Sequence, residues 1–459
     1  MNKISLEEIN NTVPLPQRRS GFFRKLFAFS GPGALVAVGY MDPGNWITSI
    51  QGGALYSYLL LSVILISSLV AMLLQAMCAK LGIVTGMDLA QATARLCDRG
   101  EGTIGKRHKN KLAVTLWITT ELAIIATEIA EVIGSAIALN LLFKIPLLLG
   151  VIITVLDVFL LLALMKFGVR KIEAIVFTLI VTIFAIFAYE VALSNPDVSA
   201  IFSAFIPSPS ILTEHVAGGD TAFFIALGIV GATVMPHNLY LHSSIVQTRQ
   251  YDRKDRKSLK EAIRFACLDS NLQLGFSFII NCLLLILGAA LFFGKNPDDI
   301  GRFAQLYDAL KDNSMVGAIA SSTLATLFAV ALLASGQNAT ITGTLTGQIV
   351  MEGFINMKVS LWLRRLITRA IAICPVIACI MIWGDRGDMV EKLLVYTQVF
   401  LSIALPVSMA PLIYITSSKK WMGEFINSKT VTATGWICAA VLIVLNLQLI
   451  QETVAMVFS

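Results

Sequence analysis

Apolar residues fill eleven stretches of this chain, and short polar segments separate them. Each stretch has about the 20 apolar residues that a helix needs to cross the hydrocarbon core of a bilayer. The pattern therefore predicts an all-α polytopic membrane protein with eleven transmembrane helices. The predicted crossings cover residues 30–55, 58–79, 112–142, 146–165, 172–193, 221–247, 265–294, 314–345, 361–384, 390–416 and 432–456.

Polar residues interrupt the first and the sixth crossing. The interruptions are the segments Asp42–Asn45, with the sequence DPGN, and Met235–Asn238, with the sequence MPHN. Unwound backbone at membrane depth is tolerated only where it lines a cavity or is buried in protein. Two interrupted helices in corresponding positions are typical of secondary transporters whose binding site lies near the bilayer midplane.

The positions of the two interruptions predict an internal repeat. They open the first and the second set of five crossings, and because five is odd, the second set enters the membrane upside down. We therefore expect a LeuT-like 5+5 inverted repeat with helices 1 and 6 interrupted. The predicted organisation is an N-terminal tail at 1–29, a first repeat at 30–193, an external loop at 194–220, a second repeat at 221–416, and the eleventh helix with short ends at 417–459.

Lysine and arginine predict the orientation. With the N-terminus in the cytoplasm, most of the 35 basic residues fall on the cytoplasmic side, as the positive-inside rule requires. An odd number of crossings then places the C-terminus outside. Six basic residues fall on the external side: Lys144, Lys295, Arg302, Lys311, Arg386 and Lys392.

Composition narrows the functional class. The chain is 56% hydrophobic and 14% charged, and its formal charge of +6 is explained by a basic cytoplasmic rim facing anionic lipid, without nucleic acid. The first 30 residues contain no uninterrupted apolar stretch before the first crossing, so we expect no cleavable signal peptide. The seven cysteines are scattered and indicate neither a disulfide framework nor a thiolate metal site. We expect no cofactor and no enzymatic activity, and we expect the chain to act as a monomer in a bacterial plasma membrane.

The two interruptions carry different metal chemistry. Asp42 and Asn45 offer a carboxylate and an amide oxygen, which are hard ligands. Met235 offers a soft thioether, and the unwound turn before it frees backbone carbonyl oxygen around Ala232. A mixed hard and soft set suits Mn²⁺ or Fe²⁺ better than Ca²⁺ or Mg²⁺.

Simpler interpretations exist for both segments. A methionine in an apolar helix is usually core filler, and DPGN in a soluble protein is an ordinary turn. A surface turn at Asp42 would, however, leave two apolar halves of about ten residues, which are too short to cross a bilayer.

The two interruptions resemble the paired signatures of the Nramp (natural resistance-associated macrophage protein) family of divalent-metal transporters. The resemblance covers essentially residues 30–455, and the segments that carry it are Gly39–Asn45, Glu128–Ala136, Met235–Ser243, Gly336–Thr344 and Gly347–Gln348. It implies a LeuT-like fold and inward symport of metal ions with protons. By matching position, the metal ligands would be Asp42, Asn45, Met235 and the carbonyl of Ala232, joined in some conformations by the carbonyl of Gly39 and the amide of Gln398.

Three glutamates on the third crossing are candidates for moving protons. Glu121, Glu128 and Glu131 project from a similar face of one helix, and desolvation at membrane depth favours their protonated form. The alternative is a structural cluster in which these acids pair with Arg364 and Arg365. The family resemblance implies a proton path through Asp42, His237, Glu131, Glu128 and Glu121 to Arg364 and Arg365.

Six other polar residues are assigned neither to the metal site nor to the proton path. We expect His242 to be a packing or capping residue, and His108 and His215 to lie in solvated loops. To the intramembrane residues Asp157, Asp269 and Asn271 the sequence assigns no role.

The leading hypothesis is a proton-coupled secondary transporter that imports Mn²⁺ and Fe²⁺ by alternating access. One alternative is a LeuT-like sodium and amino-acid symporter, although Asp42 would repel an anionic substrate. Another is a metal-sensing membrane receptor that transports nothing. The chain has neither a phosphate-binding GxxxxGK[ST] loop nor an HExxH motif, which argues against an ATPase and a metalloenzyme.

Overall fold

The computed structural model describes most of the chain, and the described part is mostly helical. The described residues are 6, 9–16, 20–97, 111–157, 159, 169–216, 220–294, 302–311, 321–357, 359–383 and 387–458. Among them no strand forms, and a single β-bridge pairs Val13 with Arg249.

Eighteen α-helices and four short 3₁₀ turns make up the described structure. The helices are α1 (Phe22–Phe29), α2 (Pro32–Gly39), α3 (Pro43–Tyr56), α4 (Leu61–Thr85), α5 (Leu89–Cys97), α6 (Lys111–Phe143), α7 (Leu147–Ile153), α8 (Val169–Ser194), α9 (Val198–Ser203), α10 (Ala222–Thr233), α11 (Pro236–Ile245), α12 (Arg256–Phe292), α13 (Phe303–Ala309), α14 (Ser322–Ile355), α15 (Leu361–Trp383), α16 (Gly387–Thr416), α17 (Lys419–Met422) and α18 (Lys429–Phe458). The 3₁₀ turns are Thr154–Leu156, Pro209–Leu212, Val246–Thr248 and Gly423–Phe425.

These helices account for the predicted crossings. Nine segments of the described chain are long and apolar enough to span a membrane, and α10 with α11 forms one of them. The first crossing consists of α2 and α3, which are short because the chain unwinds between them. The fourth is represented by Leu147–Leu156, and the rest of its predicted range, up to residue 165, lies outside the described residues apart from 157 and 159.

Several predicted ends of crossings were wrong. α4 runs from Leu61 to Thr85 instead of 58–79, α12 begins at Arg256 instead of 265, and α14 ends at Ile355 instead of 345. Capping residues determine these ends: the Asp255 carboxylate accepts from the backbone N–H of Lys257, and Gly86 and Asn356 take left-handed conformations. A hydropathy window detects only the apolar part of a helix, so it misses turns that continue into polar sequence.

The interrupted helices lie at the centre of the bundle. Of the apolar stretch of the sixth crossing, 89% is buried, against 28% for the eleventh. All residues of α2 are buried as well. The first five crossings and the next five form two sets that each begin with an interrupted helix, in the predicted inverted-repeat arrangement, and α18 packs on the outside.

Candidate functional site

A proline in each interruption frees one backbone carbonyl. In an α-helix the carbonyl of residue i accepts from the N–H of residue i+4. Pro43 stands four positions after Gly39, and Pro236 stands four positions after Ala232, so neither carbonyl has a helical donor. The two carbonyls that the sequence analysis named are therefore free for another partner.

The two interruptions meet at the side-chain amide of Asn45. Its Nδ2 donates to the carbonyl of Ala232 at 2.7 Å, to Oδ1 of Asp42 at 3.0 Å and to the carbonyl of Gly39 at 3.4 Å. Residues that are 187 positions apart in the sequence thus share one point in space. Four of the six predicted metal ligands are brought together here.

This point is shielded from solvent and carries one formal charge. Asp42 and Asn45 are each 1% exposed. Oδ1 of Asp42 caps α3 by accepting from the backbone N–H of Asn45 at 2.9 Å, whereas Oδ2 has no hydrogen-bond partner among the described residues. A buried carboxylate oxygen without a partner is costly unless a proton or a cation compensates it.

The two other predicted ligands lie beside the same interruptions. Met235 is buried and immediately precedes α11, three positions after Ala232. Gln398 of α16 lies against Gly44, where the Cβ of any larger residue would overlap the Gln398 amide. Its Nε2 donates to Thr397 at 3.1 Å, and its Oε1 has no partner among the described residues.

A set of polar side chains that the sequence analysis missed holds the first interruption in shape. Asn281 of α12 donates to the carbonyl of Tyr40 at 3.0 Å and to Oδ1 of Asn45 at 3.4 Å. Trp46 Nε1 donates to the carbonyl of Met41 at 2.9 Å, and the Ser335 hydroxyl of α14 donates to the same oxygen. Protein side chains thereby satisfy the carbonyls of Tyr40 and Met41 in the unwound segment.

Next to the site, residues of α6 and α15 form a buried ionic cluster with Asp157, which follows the 3₁₀ turn Thr154–Leu156. Arg365 lies 3.1 Å from Glu128, 3.3 Å from Glu131 and 3.2 Å from Asp157. Arg369 pairs with Asp157 and lies 3.8 Å from Glu131. Three carboxylates therefore face two guanidinium groups, an excess of one negative charge when all five groups are ionised.

Close helix packing connects this cluster to the first interruption. Gly134 of α6 lies against the ring of Pro43, where a Cβ would overlap the ring. The glycine lets α6 approach the unwound segment, and Glu131 lies three positions before it on the same helix. Asp157 was named from the sequence without a role and Arg369 was not named as a partner, because ion pairs between different helices leave no periodic signal along the chain.

The outermost glutamate of the predicted path forms a separate pair. Glu121 accepts from Arg364 at 2.8 Å and from Nε1 of Trp117 at 3.2 Å. The ion pairs of the structural alternative are thus present, with Arg369 and Asp157 added to them. Ion pairing and proton transfer do not exclude each other.

The histidines differ in their surroundings. His237 is buried, and its Nδ1 has no partner among the described residues. His242 shares a hydrogen bond of 3.0 Å with Gln75, whose amide donates to the hydroxyl of Tyr40 at 2.8 Å, so it takes part in packing as predicted. His215 is exposed as predicted, and His108 lies outside the described residues.

At the end of the bundle that carries α1, here called the basic end, polar contacts fix the start of α2. Arg249 donates to both carboxylate oxygens of Glu173 and, at 2.6 Å, to the carbonyl of Ser30. Asp269 accepts from the backbone N–H of Gly31 at 3.2 Å and of Gly33 at 2.8 Å. Asp269 therefore has the structural role that the sequence left open, whereas Asn271 is exposed.

At the opposite end, aromatic side chains cover the site. Trp46 lies 4.7 Å from Phe187 and 6.0 Å from Phe328, measured between ring centroids, and Phe303 lies 6.2 Å from Phe328. The carboxylate of Glu391 accepts from the backbone N–H of Phe303 and so attaches α13 to α16. The candidate site is closed toward both ends of the bundle.

Comparison with known proteins identifies close relatives. Residues 33–452 match the family Nramp, described as natural resistance-associated macrophage protein-like. The divalent metal cation transporter MntH of Latilactobacillus sakei is 60% identical over 452 residues, which cover 98% of this chain and 95% of the relative.

Solved structures give the same result. A crystal structure of the Eremococcus coleocola manganese transporter is 50% identical, covers 100% of this chain and 92% of its own, and superposes with a TM-score of 0.89. The transporter Mhp1 of the nucleobase-cation-symport-1 family shares the fold alone, with a TM-score of 0.56 and 16% identity over 96% of each chain.

Proposed function

The chain belongs to the Nramp family, and on that premise we propose that it is a secondary transporter that imports divalent transition-metal ions together with protons. The substrates are Mn²⁺ and Fe²⁺, and the membrane is the bacterial plasma membrane. The 60%-identical relative is a divalent metal cation transporter, and the Eremococcus coleocola protein is a manganese transporter. Both relatives support a divalent metal, manganese among them, as the substrate.

The observation that carries the proposal is the convergence of oxygens on Asn45. Oδ1 of Asp42 and the carbonyls of Ala232 and Gly39 surround the Asn45 Nδ2 at 2.7–3.4 Å. Rotating this amide by half a turn would present its Oδ1 in place of the donor, which would complete a set of oxygens around a cation. The thioether of Met235 would add the soft ligand that favours a transition metal over Ca²⁺.

The buried ionic cluster supports the proton as the co-substrate. Because the cluster has one negative charge in excess, one proton can bind to a carboxylate of Glu128, Glu131 or Asp157. We propose that the proton passes from Asp42 and His237 to these groups. It then leaves along Glu121, with Arg364 and Arg365 balancing the carboxylates.

Alternating access would act on the two closures of the site. We propose that the basic end faces the cytoplasm, as the positive-inside rule favours, with the N-terminus inside and the C-terminus outside. Release of metal inward then requires the start of α2 to separate from Glu173, Arg249 and Asp269. Access from outside requires the aromatic cover at Trp46 and Phe328 to part. Since all proposed ligands come from one chain, a monomer suffices.

The testing experiment is Mn²⁺ uptake into proteoliposomes that contain the purified protein. We expect an inward proton gradient to accelerate uptake, metal influx to acidify the lumen, and Fe²⁺ to compete where Ca²⁺ and Mg²⁺ do not. Uptake that ignores the proton gradient would refute coupling. Uptake of an amino acid driven by Na⁺, without metal transport, would favour the symporter alternative.

A further inference from the structure

Helix α1 has the character of a helix that lies in a membrane interface. Phe23 and Phe27, one turn apart, are each 71% exposed, and Arg24 beside them is exposed as well. A short helix with aromatic and basic residues on its outer surface is typical of an element that lies flat at the boundary of head groups and acyl chains.

The opposite side of α1 is attached to α12. Phe29 stacks on Phe265 with ring centroids 5.4 Å apart, and Phe22 lies 5.5 Å from the same ring. Lys25 forms an ion pair with Glu261. The attachment fixes α1 beside the first turns of α12, where the chain carries further basic residues.

A cleft of about 430 Å³ lies between the two helices. Its lining combines two aromatic rings, three basic side chains and one carboxylate, namely Phe22, Phe265, Lys25, Lys260, Arg264 and Glu261. Lys25 is occupied by Glu261, whereas Lys260 and Arg264 are exposed and make no ion pair among the described residues. The cleft therefore has two uncompensated positive charges next to an apolar surface.

We propose that this cleft binds the phosphate of an anionic phospholipid from the leaflet at the basic end. Lys260 and Arg264 would hold the phosphate, since guanidinium and ammonium groups donate several charge-assisted hydrogen bonds to its oxygens. The acyl chains would lie along Phe22, Phe23 and Phe27, which are large exposed rings next to the cleft.

The chemistry of the cleft selects this ligand over others. A free phosphate ion would use the two bases but not the rings, and a zwitterionic lipid would bring a compensating positive charge to the bases. Lys260 and Arg264 lie in the polar first turns of the membrane-spanning helix α12, and basic residues beside a transmembrane helix are a usual recognition element for anionic lipid. The proposal is independent of transport, and only the name of its leaflet depends on the proposed orientation.

The experiment measures lipid bound to the full-length, delipidated protein in detergent by native mass spectrometry. Phosphatidylglycerol is titrated against phosphatidylcholine with the same acyl chains. We expect the double variant Lys260→Gln/Arg264→Gln to bind phosphatidylglycerol roughly 25-fold more weakly, since each base near an anionic surface contributes about fivefold. Phosphatidylcholine binding should not change.

The matched control is Lys419→Gln/Lys420→Gln, which removes two exposed positive charges from α17 that do not line the cleft. It should bind phosphatidylglycerol as the parent protein does, and the charge-preserving variant Lys260→Arg/Arg264→Lys should do the same. Equal losses in the two glutamine variants would mean unspecific attraction and overturn the proposal. So would competition by millimolar inorganic phosphate, because the site would then take the free ion.

Discussion

The two interruptions are alike in their backbone and different in their side chains. Aligned on their prolines, the segment Gly39–Asn45 corresponds to Ala232–Asn238, and both end in asparagine two positions after the proline. In each segment the proline removes the N–H that would have bonded the first carbonyl. Each half of the inverted repeat thus contributes one free backbone carbonyl to the site.

The difference lies in the residue before each proline. The first interruption has a carboxylate there, Asp42, and the second has a thioether, Met235. The asparagines differ too: the Asn45 amide donates to the carbonyl of Ala232, whereas the Asn238 amide donates to the carbonyl of Val36 in α2. We infer that the first interruption provides most of the affinity for a cation and that the second provides the choice among cations.

The largest effect on metal binding is expected at Asp42, because this residue carries the one formal negative charge of the proposed ligand set. We expect Asp42→Asn to weaken Mn²⁺ binding by more than about 100-fold, since losing only an outer-shell partner of a metal site costs 10–100-fold. Calorimetry measures the affinity. Glu190→Gln is the control, because Glu190 is another buried carboxylate whose oxygens have no partner among the described residues. Parent-like affinity in Asp42→Asn would remove the interruptions as the site.

The role of the two free carbonyls is tested by restoring the N–H groups that the prolines lack. Pro43→Ala and Pro236→Ala allow the helix to compete for the carbonyls of Gly39 and Ala232, so we expect each to weaken Mn²⁺ binding about tenfold, the loss of one good ligand interaction. Similar losses in the two variants would support the equivalence of the halves. The control is Pro375→Ala, which changes a proline inside α15 that the site does not use. No loss in either site variant would contradict the role of the carbonyls.

The choice among cations is tested at Met235. Met235→Ala leaves the oxygens in place, so we expect Mn²⁺ affinity to fall only a few-fold, Cd²⁺ affinity to fall most steeply, and Ca²⁺ to begin to compete with Mn²⁺ uptake. Met409→Ala is the matched control, because Met409 is buried in the core of the bundle. It should lower stability and leave the ranking of ions intact. An unchanged ranking in Met235→Ala would make that residue core filler too.

How much the sequence could predict depended on whether a feature is local. The crossings and the interruptions each consist of consecutive residues, so the sequence alone predicts them. The spacing of the prolines also identifies the carbonyls of Gly39 and Ala232 without any structure. Helix ends were less certain because capping residues at positions such as Asp255 lie beyond the apolar stretch. The partners of Arg369 and the donors to the unwound carbonyls come from distant helices, so only packing reveals them.

The smallest expected effect on affinity concerns Glu131, which lies near the first interruption without belonging to it. If Asp42 alone supplies charge to the metal, Glu131→Gln should leave Mn²⁺ affinity within a few-fold. It should nevertheless reduce the acidification that accompanies metal uptake, because an amide cannot carry the proton that the buried cluster accommodates. A pH-sensitive dye inside proteoliposomes measures the acidification, and calorimetry measures the affinity.

Thr340→Val serves as a control, since it removes the 3.0 Å hydrogen bond to Glu131 but keeps the carboxylate, and acidification should persist. Undiminished acidification in Glu131→Gln would make the cluster structural, and a large loss of affinity would mean that the charge at the site is shared between the first interruption and α6.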